Sequence, residues 1–203
     1  MTDAATPLVR PPQQERSRAA WTRALDAGCA LLEAGGIDAV TVTDVCRLSR
    51  MSPPSLYARV DGRAGLIAAI YEHGMRRVRA LEDSLLTPVD PEDASVEQRV
   101  RHVATAMTEL FRREQHLLRA VIGSSVQDTR IHSRGVEEAL RVQAAMMRVL
   151  NLPEDAGHDI AAMIFAELVV NTVYGGEFTA DPPADDDVFV ARLIRMGVAR
   201  ARQ

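Results

Sequence analysis

The sequence predicts an all-α protein, and three observations predict it. The 203 residues are 47% hydrophobic but only 4% aromatic, and Ala, Leu, Arg, Val and Glu dominate, a composition that favours helix over strand. Apolar residues recur at three- and four-residue spacing through most of the chain, the period of a helix face. The spacing breaks at clusters of Gly, Pro and Asp, the residues that stop helices.

Taken in order, residues 1–13, with Pro7, Pro11 and Pro12, are expected to form a flexible arm. From Gln14 the pattern turns helical: Ala20, Trp21, Ala24, Leu25, Ala27, Cys29, Leu31 and Leu32 recur until Gly35-Gly36 stops the run. Thr41 is a good N-cap for a short second helix that ends near Ser49, with Asp44 in its first turn, where negative charge suits the helix dipole. Ser52 caps a third helix over about 53–59, and Pro53 opens it at a position where the missing N–H costs nothing. Asp61 can cap a long fourth helix from Gly62 to about Leu86, with Leu66, Ile67, Ile70, Met75, Val78, Leu81 and Leu85 at compatible spacing. Thr87 to Ala94, with Pro88, Asp90 and Pro91, is the clearest linker. Five more helices are expected at about 95–113, 115–126, 132–150, 154–176 and 186–202. The chain then divides into an arm (1–13), a helix-turn-helix module (14–62) and a helical body (63–203).

Charge and motifs narrow the function. The net charge is −4, which argues against a generic nucleic-acid coat, but it is unevenly distributed. Residues 1–80 hold 11 Arg and 8 acids, a balance of +3, while residues 81–203 hold 13 Arg and 20 acids, a balance of −7. A basic reader on an acidic body fits that asymmetry. Cys29 and Cys46 sit at apolar-periodic positions and read as small buried hydrophobes, not a disulfide. Met1 to Pro12 lacks the pattern of a secretion signal, so a cytoplasmic location is expected. The most apolar stretch, Ile160 to Tyr174, contains Glu167 and Asn171 and reads as a buried or interfacial helix too short to cross a bilayer. No metalloprotease motif, phosphate-cradling Gly-rich loop or nucleophile elbow is present, so no enzyme activity is expected. Gly175-Gly176-Glu177-Phe178 has the letters of a nucleotide-cyclase signature, but it ends an apolar helix and reads as a C-cap. His102, His116, His132 and His158 fall on separate helices without metal-ligand spacing, so no metal site and no cofactor are expected.

A helix-turn-helix needs two short helices held at a steep angle by a tight turn, so that the second can enter the major groove. Residues 41–60 meet that need, with Val45, Cys46, Met51, Leu56 and Val60 facing inward. Thr41-Val42-Thr43-Asp44-Val45, then Met51-Ser52, Ser55-Leu56-Tyr57, Val60 and Arg63 with Leu66 resemble, in order and spacing, the DNA-binding module of the TetR family. The match covers about residues 16–70, and Arg50 departs from it where a turn Gly is common. The resemblance implies nine or so helices in a TetR-like fold. It also implies phosphate contacts from Thr41, Thr43, Tyr57 and Arg63 and base-edge contacts from Ser55, Ala58 and Arg59, with Ser52, Pro53 and Pro54 also among the expected DNA-binding residues. Chemistry agrees: hydroxyls and Arg suit phosphate, Arg pairs with guanine, and Pro and Ala offer only apolar contact to thymine methyls.

The same resemblance implies a homodimer built from the last two helices, with Ile160, Met163, Ile164, Glu167, Leu168, Asn171, Phe189, Leu193, Ile194 and Met196 as the expected interface. It implies a small-molecule effector as well, with Met107, Phe111, Val121, Met146, Met147 and Phe165 as the expected lining of its pocket. The function expected from the sequence is therefore a repressor that binds a palindromic double-stranded operator and is released by its ligand. The competing class is a helical interaction module, or a metal or ligand sensor, without sequence-specific DNA binding.

Overall fold

The computed structural model describes residues 11–90, 92–125, 129–175 and 185–203, the side chains of 11–14 and 130 excepted. These residues form α1 (Pro11–Ala39), α2 (Val42–Ser49), α3 (Pro53–Tyr57), α4 (Gly62–Leu85), α5 (Val96–Arg113), α6 (Gln115–Ser125), α7 (Thr129–Leu150), α8 (Glu154–Tyr174) and α9 (Asp186–Ala201), with no strand among them. The all-α expectation and its helix count therefore hold for the described residues. The chain divides into two compact units, Met1–His73 and Gly74–Gln203.

In the first unit α1 begins at Pro11, earlier than the expected arm allows. Pro11 and Pro12 occupy the first turn, where an N–H has no intrahelical partner to lose. The rest of the expected arm, residues 1–10, lies outside the described residues. Gly35-Gly36 breaks the helix as expected, as a kink: Gly36 takes φ 69°, ψ −166°, open only to glycine, and Ile37–Ala39 then complete a last turn. Ala24, Leu25, Cys29 and Leu32 bury one face of α1. Gly28 on that face lets α4 approach, because a Cβ there would fall 2.3 Å from Ile70 Cδ1, and the Cys29 thiol donates to the Ile70 carbonyl at 3.7 Å. Leu66 and Ile70 are fully buried, which is why the boundary between units falls inside α4 at His73–Gly74 and not after residue 62.

The second unit packs α5 against α9, α7 and α8, and α6 against α7 and α8. Met107, Leu117, Met146, Leu150, Ile160, Ile164, Leu168 and Leu193 are its largest fully buried side chains. Gly197 brings α9 close to α5, since a Cβ there would meet Val100 Cγ1 at 2.7 Å. Arginines hold several joints. Arg99 donates to the Leu150 and Ala94 carbonyls, and Arg119 to the Thr172 carbonyl at 2.7 Å; Leu150 and Thr172 are acceptors that the ends of α7 and α8 leave open. Arg77 grips Glu114 with two hydrogen bonds, and Arg141 grips the buried Glu82 at 2.9 and 2.7 Å. Glu138 bridges Arg141 to Arg79. Cys29 and Cys46 are free and buried.

Hydrogen bonds from Arg112 and then Arg113 hold the Glu109 carboxyl down at about 2, from an ordinary 4.5. A depressed carboxylate adds stability above its unfolded value and loses it as pH falls through the folded one. We expect acid to loosen the end of α5 between pH 4.5 and about 2. In an NMR titration of Glu109, replacing both arginines by Gln should return the midpoint toward 4.5.

Burial bears on two of the expected residue sets in this unit. Ile160, Ile164, Leu168, Phe189, Leu193 and Ile194 are buried within the single chain. They line the faces of α8 and α9 turned to α5 and its neighbours, so they leave no surface for a partner. Of the expected dimer residues, Met163, Glu167 and Asn171 stay half-buried and Met196 exposed. Val170, Tyr174 and Val188 are exposed apolar residues on the same two helices. Among the expected pocket residues, Met107, Phe111, Val121 and Met146 are buried, Met147 and Phe165 are half-buried, and Phe111 meets Phe165 edge to face at 6.0 Å. The two described clefts lie elsewhere. One of about 380 Å³ runs between α5 and α9, and one of about 430 Å³ runs between α4 and α7.

α8 begins at Glu154, before the apolar stretch read from the sequence. It is 21 residues long and its most apolar 18-residue window has a mean hydropathy of 1.2, values that the core helix of a folded domain also reaches. A third of its most apolar window is buried in the chain, and Val170 and Tyr174 on it are exposed. Gly175 caps it at φ 64°, as expected of the first residue of the Gly175-Gly176-Glu177-Phe178 run, whose other three residues lie outside the described set.

Candidate nucleic-acid interface

Local chemistry builds the α2–turn–α3 segment almost residue by residue. Thr41 Oγ1 accepts from the Asp44 N–H at 3.0 Å and starts α2. The same hydroxyl donates to Asp44 Oδ2 at 2.6 Å. That bond first, and Arg47 at 3.1 Å second, hold the Asp44 carboxyl below its ordinary range. Val45, Cys46 and Met51 turn inward, and burial pushes the Cys46 thiol up. Ser49 closes the helix by donating to the Val45 carbonyl at 2.6 Å while accepting from Met51 N–H at 3.3 Å.

Arg50 makes the turn in the left-handed region at φ 56°, ψ 32°. A side chain there crowds its own backbone, so Arg50→Gly should stabilise the protein by about 1 kcal/mol, read as a raised urea midpoint at unchanged slope. Ser52 then caps α3 by accepting from Ser55 N–H at 3.4 Å, and Pro53 takes the first helical position. α3 ends at Tyr57, shorter than the expected 53–59, leaving Ala58 as its cap and Arg59 beyond it.

Only Leu56 of α3 points inward, at 0% exposure. Ser52, Pro53, Pro54, Ser55, Tyr57 and Ala58 form one exposed surface, with Thr43 exposed on α2. Tyr57 is 54% exposed. Neither Thr43 nor Tyr57 has a hydrogen-bond partner among the described residues, so both hydroxyls are available to a ligand. The hydroxyls of Ser52 and Ser55 lie 2.8 Å apart, one donating to the other.

Three residues of the expected interface are engaged differently. Thr41 is held by its cap. Arg63 sends Nε to the Val40 carbonyl at 3.0 Å and Nη2 to the Ile37 carbonyl at 2.6 Å, clamping the α1–α2 connection. Arg59, itself exposed, sends Nη2 to Ser17 Oγ at 2.6 Å and lies 5.4 Å from the centroid of Trp21, so its guanidinium is tied to α1. Local sequence carries no signal for these contacts, because Ser17 lies 42 positions from Arg59 and Ile37 lies 26 from Arg63. Among the described residues no group of three or more His, Cys, Asp or Glu is placed to hold a metal ion.

This fold, a helix-turn-helix unit followed by a helical body, is that of the TetR-family transcriptional regulators. Two solved structures carry the likeness. One, from Rhodococcus sp., is assigned to the TetR family of transcriptional regulators; it matches at a TM-score of 0.65 and 14% identity, over 92% of this chain and 99% of its own. The other is the TetR-family repressor AlkX from Dietzia sp. strain DQ12-45-1b, implicated in biodegradation of n-alkanes; it matches at a TM-score of 0.50 and 18% identity, over 90% and 95%. At such identities the likeness defines the fold. No protein-family model and no curated protein matches the sequence.

Proposed function

We propose that this chain is a non-enzymatic transcriptional regulator that binds double-stranded DNA through α2 and α3 as a homodimer. The observation that carries the reading is the exposed surface of Thr43, Ser52, Pro53, Pro54, Ser55, Tyr57 and Ala58 around one buried Leu56, within the TetR fold. Free hydroxyls at Thr43 and Tyr57 suit phosphate contacts, which hold register, while the α3 surface meets base edges. A two-fold pair of such readers set about 34 Å apart meets successive major grooves, so the operator is a near-palindrome.

The partner surface for dimerisation is the outer face of α8 and α9, where Met163, Val170, Tyr174, Val188 and Met196 leave apolar area uncovered beside the Arg192–Glu167 pair. A helix whose most apolar window is one-third buried, and which exposes Val170 and Tyr174, suits further cover. Repression is the mode that follows most simply, because occluding a promoter needs only DNA binding and a dimer. A small molecule that favours one state of the body shifts the population and releases the operator.

The experiment is retention of fragmented genomic DNA by the purified protein at moderate salt, followed by sequencing, with Tyr57→Ala in parallel. A few enriched palindromes that the folded variant fails to hold support the reading. Retention without site preference, or a variant equal to the parent, moves the function to the helical body.

A further inference from the structure

α3 itself carries no basic residue: it reads Pro53-Pro54-Ser55-Leu56-Tyr57. The arginine that follows it, exposed at its position, is tied to α1 through Nη2, which donates to Ser17 Oγ at 2.6 Å and to the Ser17 carbonyl at 3.3 Å, with the guanidinium 5.4 Å from the Trp21 centroid. A flat guanidinium with forked donors suits this use, since it can stack on a ring and bind oxygens at its edge at once. Nearby, Arg47 is paired with Asp44, and Arg63 with the Val40 and Ile37 carbonyls.

We propose that Arg59 is a positioning residue that fixes α3 against α1, and that base recognition falls to the uncharged surface of Pro53, Pro54, Ser55 and Ala58, which selects thymine methyls over guanine. Guanine is distinguished in the major groove by its O6 and N7 acceptors, which want a forked donor, and α3 presents none. Proline and alanine offer carbon alone, whose partner there is the C5-methyl of thymine. The Ser55 hydroxyl, tied to Ser52, tolerates either kind of base. The inference rests on the DNA-reading function proposed above and assigns the class of operator that function takes.

The test enriches duplexes from a random pool with the full chain, then edits the preferred half-site atom by atom. Replacing a contacted thymine by uracil, which removes only the methyl, should weaken binding about fourfold per methyl, the equivalent of one buried carbon. Replacing guanine by 7-deazaguanine, which removes the N7 acceptor, should leave affinity unchanged. Arg59→Ala should weaken binding to every duplex while enriching the same sequence as the parent, and Ser17→Ala should act in the same direction. Loss of affinity on 7-deazaguanine that disappears in Arg59→Ala would make Arg59 a base reader and overturn the proposal.

Trp21 is the chain's single tryptophan, which gives a readout independent of sequence preference. Arg59→Ala should shift its emission, Ser17→Ala should shift it the same way, and adding the enriched duplex to the parent should not move it to the Arg59→Ala value. Emission unchanged in both variants, or moved to that value by DNA, sinks the positioning role. A parent that enriches no sequence sinks the DNA-reading function instead, while the emission comparison still decides whether Arg59 holds α3 to α1.

Discussion

Arg141→Met is expected to destabilise the second unit by about 3–5 kcal/mol, the range for breaking a buried ion pair by removing one partner. The side chain of Glu82 is 3% exposed and Arg141 meets it with two donors, at 2.9 and 2.7 Å. Without that fork the carboxylate keeps its desolvation penalty and loses its compensation. The reverse loss is milder, because the Arg141 side chain is 39% exposed and can turn to water or stay with Glu138. Removing both charges together, as Glu82→Leu with Arg141→Met, should recover most of the stability. Urea unfolding followed by circular dichroism measures all three. A loss under about 1 kcal/mol for Arg141→Met would place the pair with exposed salt bridges.

Leu56→Ala should cost about 2–5 kcal/mol, as truncation of a fully buried leucine does, and should abolish specific DNA binding with it. A helix of five residues has too few hydrogen bonds to sustain itself. Its one buried side chain therefore anchors it, helped by the Arg59 contacts with α1. Leu56→Met keeps the volume and should lose less than about 1.5 kcal/mol. Thermal unfolding followed through Trp21 gives the stabilities, and binding to the enriched duplex gives the functional loss. A Leu56→Ala protein that still binds its site with parental affinity would show that α3 is held by something other than its core contact.

Much of the fold was legible in the sequence because helix ends are written in local chemistry. Thr41, Ser52 and Gly175 are seen in the capping positions that their residue types predict, and Arg50 is left-handed at the position where the pattern commonly has Gly. The inward set of the α2–α3 segment was legible for the same reason. A buried Leu56 between exposed Ser55 and Tyr57 follows from helix period alone.

Side-chain destinations were not legible. Arg59 and Arg63 read from the sequence as cations facing DNA, and only the tertiary fold brought Ser17, Trp21 and the end of α1 within reach of them. The apolar faces of α8 and α9 were equally ambiguous. Period shows that a residue is buried by something but not whether the cover is the same chain or a second one, so Ile160, Leu168 and Leu193 belonged to the interior and Val170 and Met196 to the surface only once α5 was in place. Helix identity, caps and turn geometry are thus settled within a few residues by backbone hydrogen bonds and sterics. Which charges pair and which apolar faces meet is settled by contacts between positions dozens of residues apart, where the packing of whole helices decides.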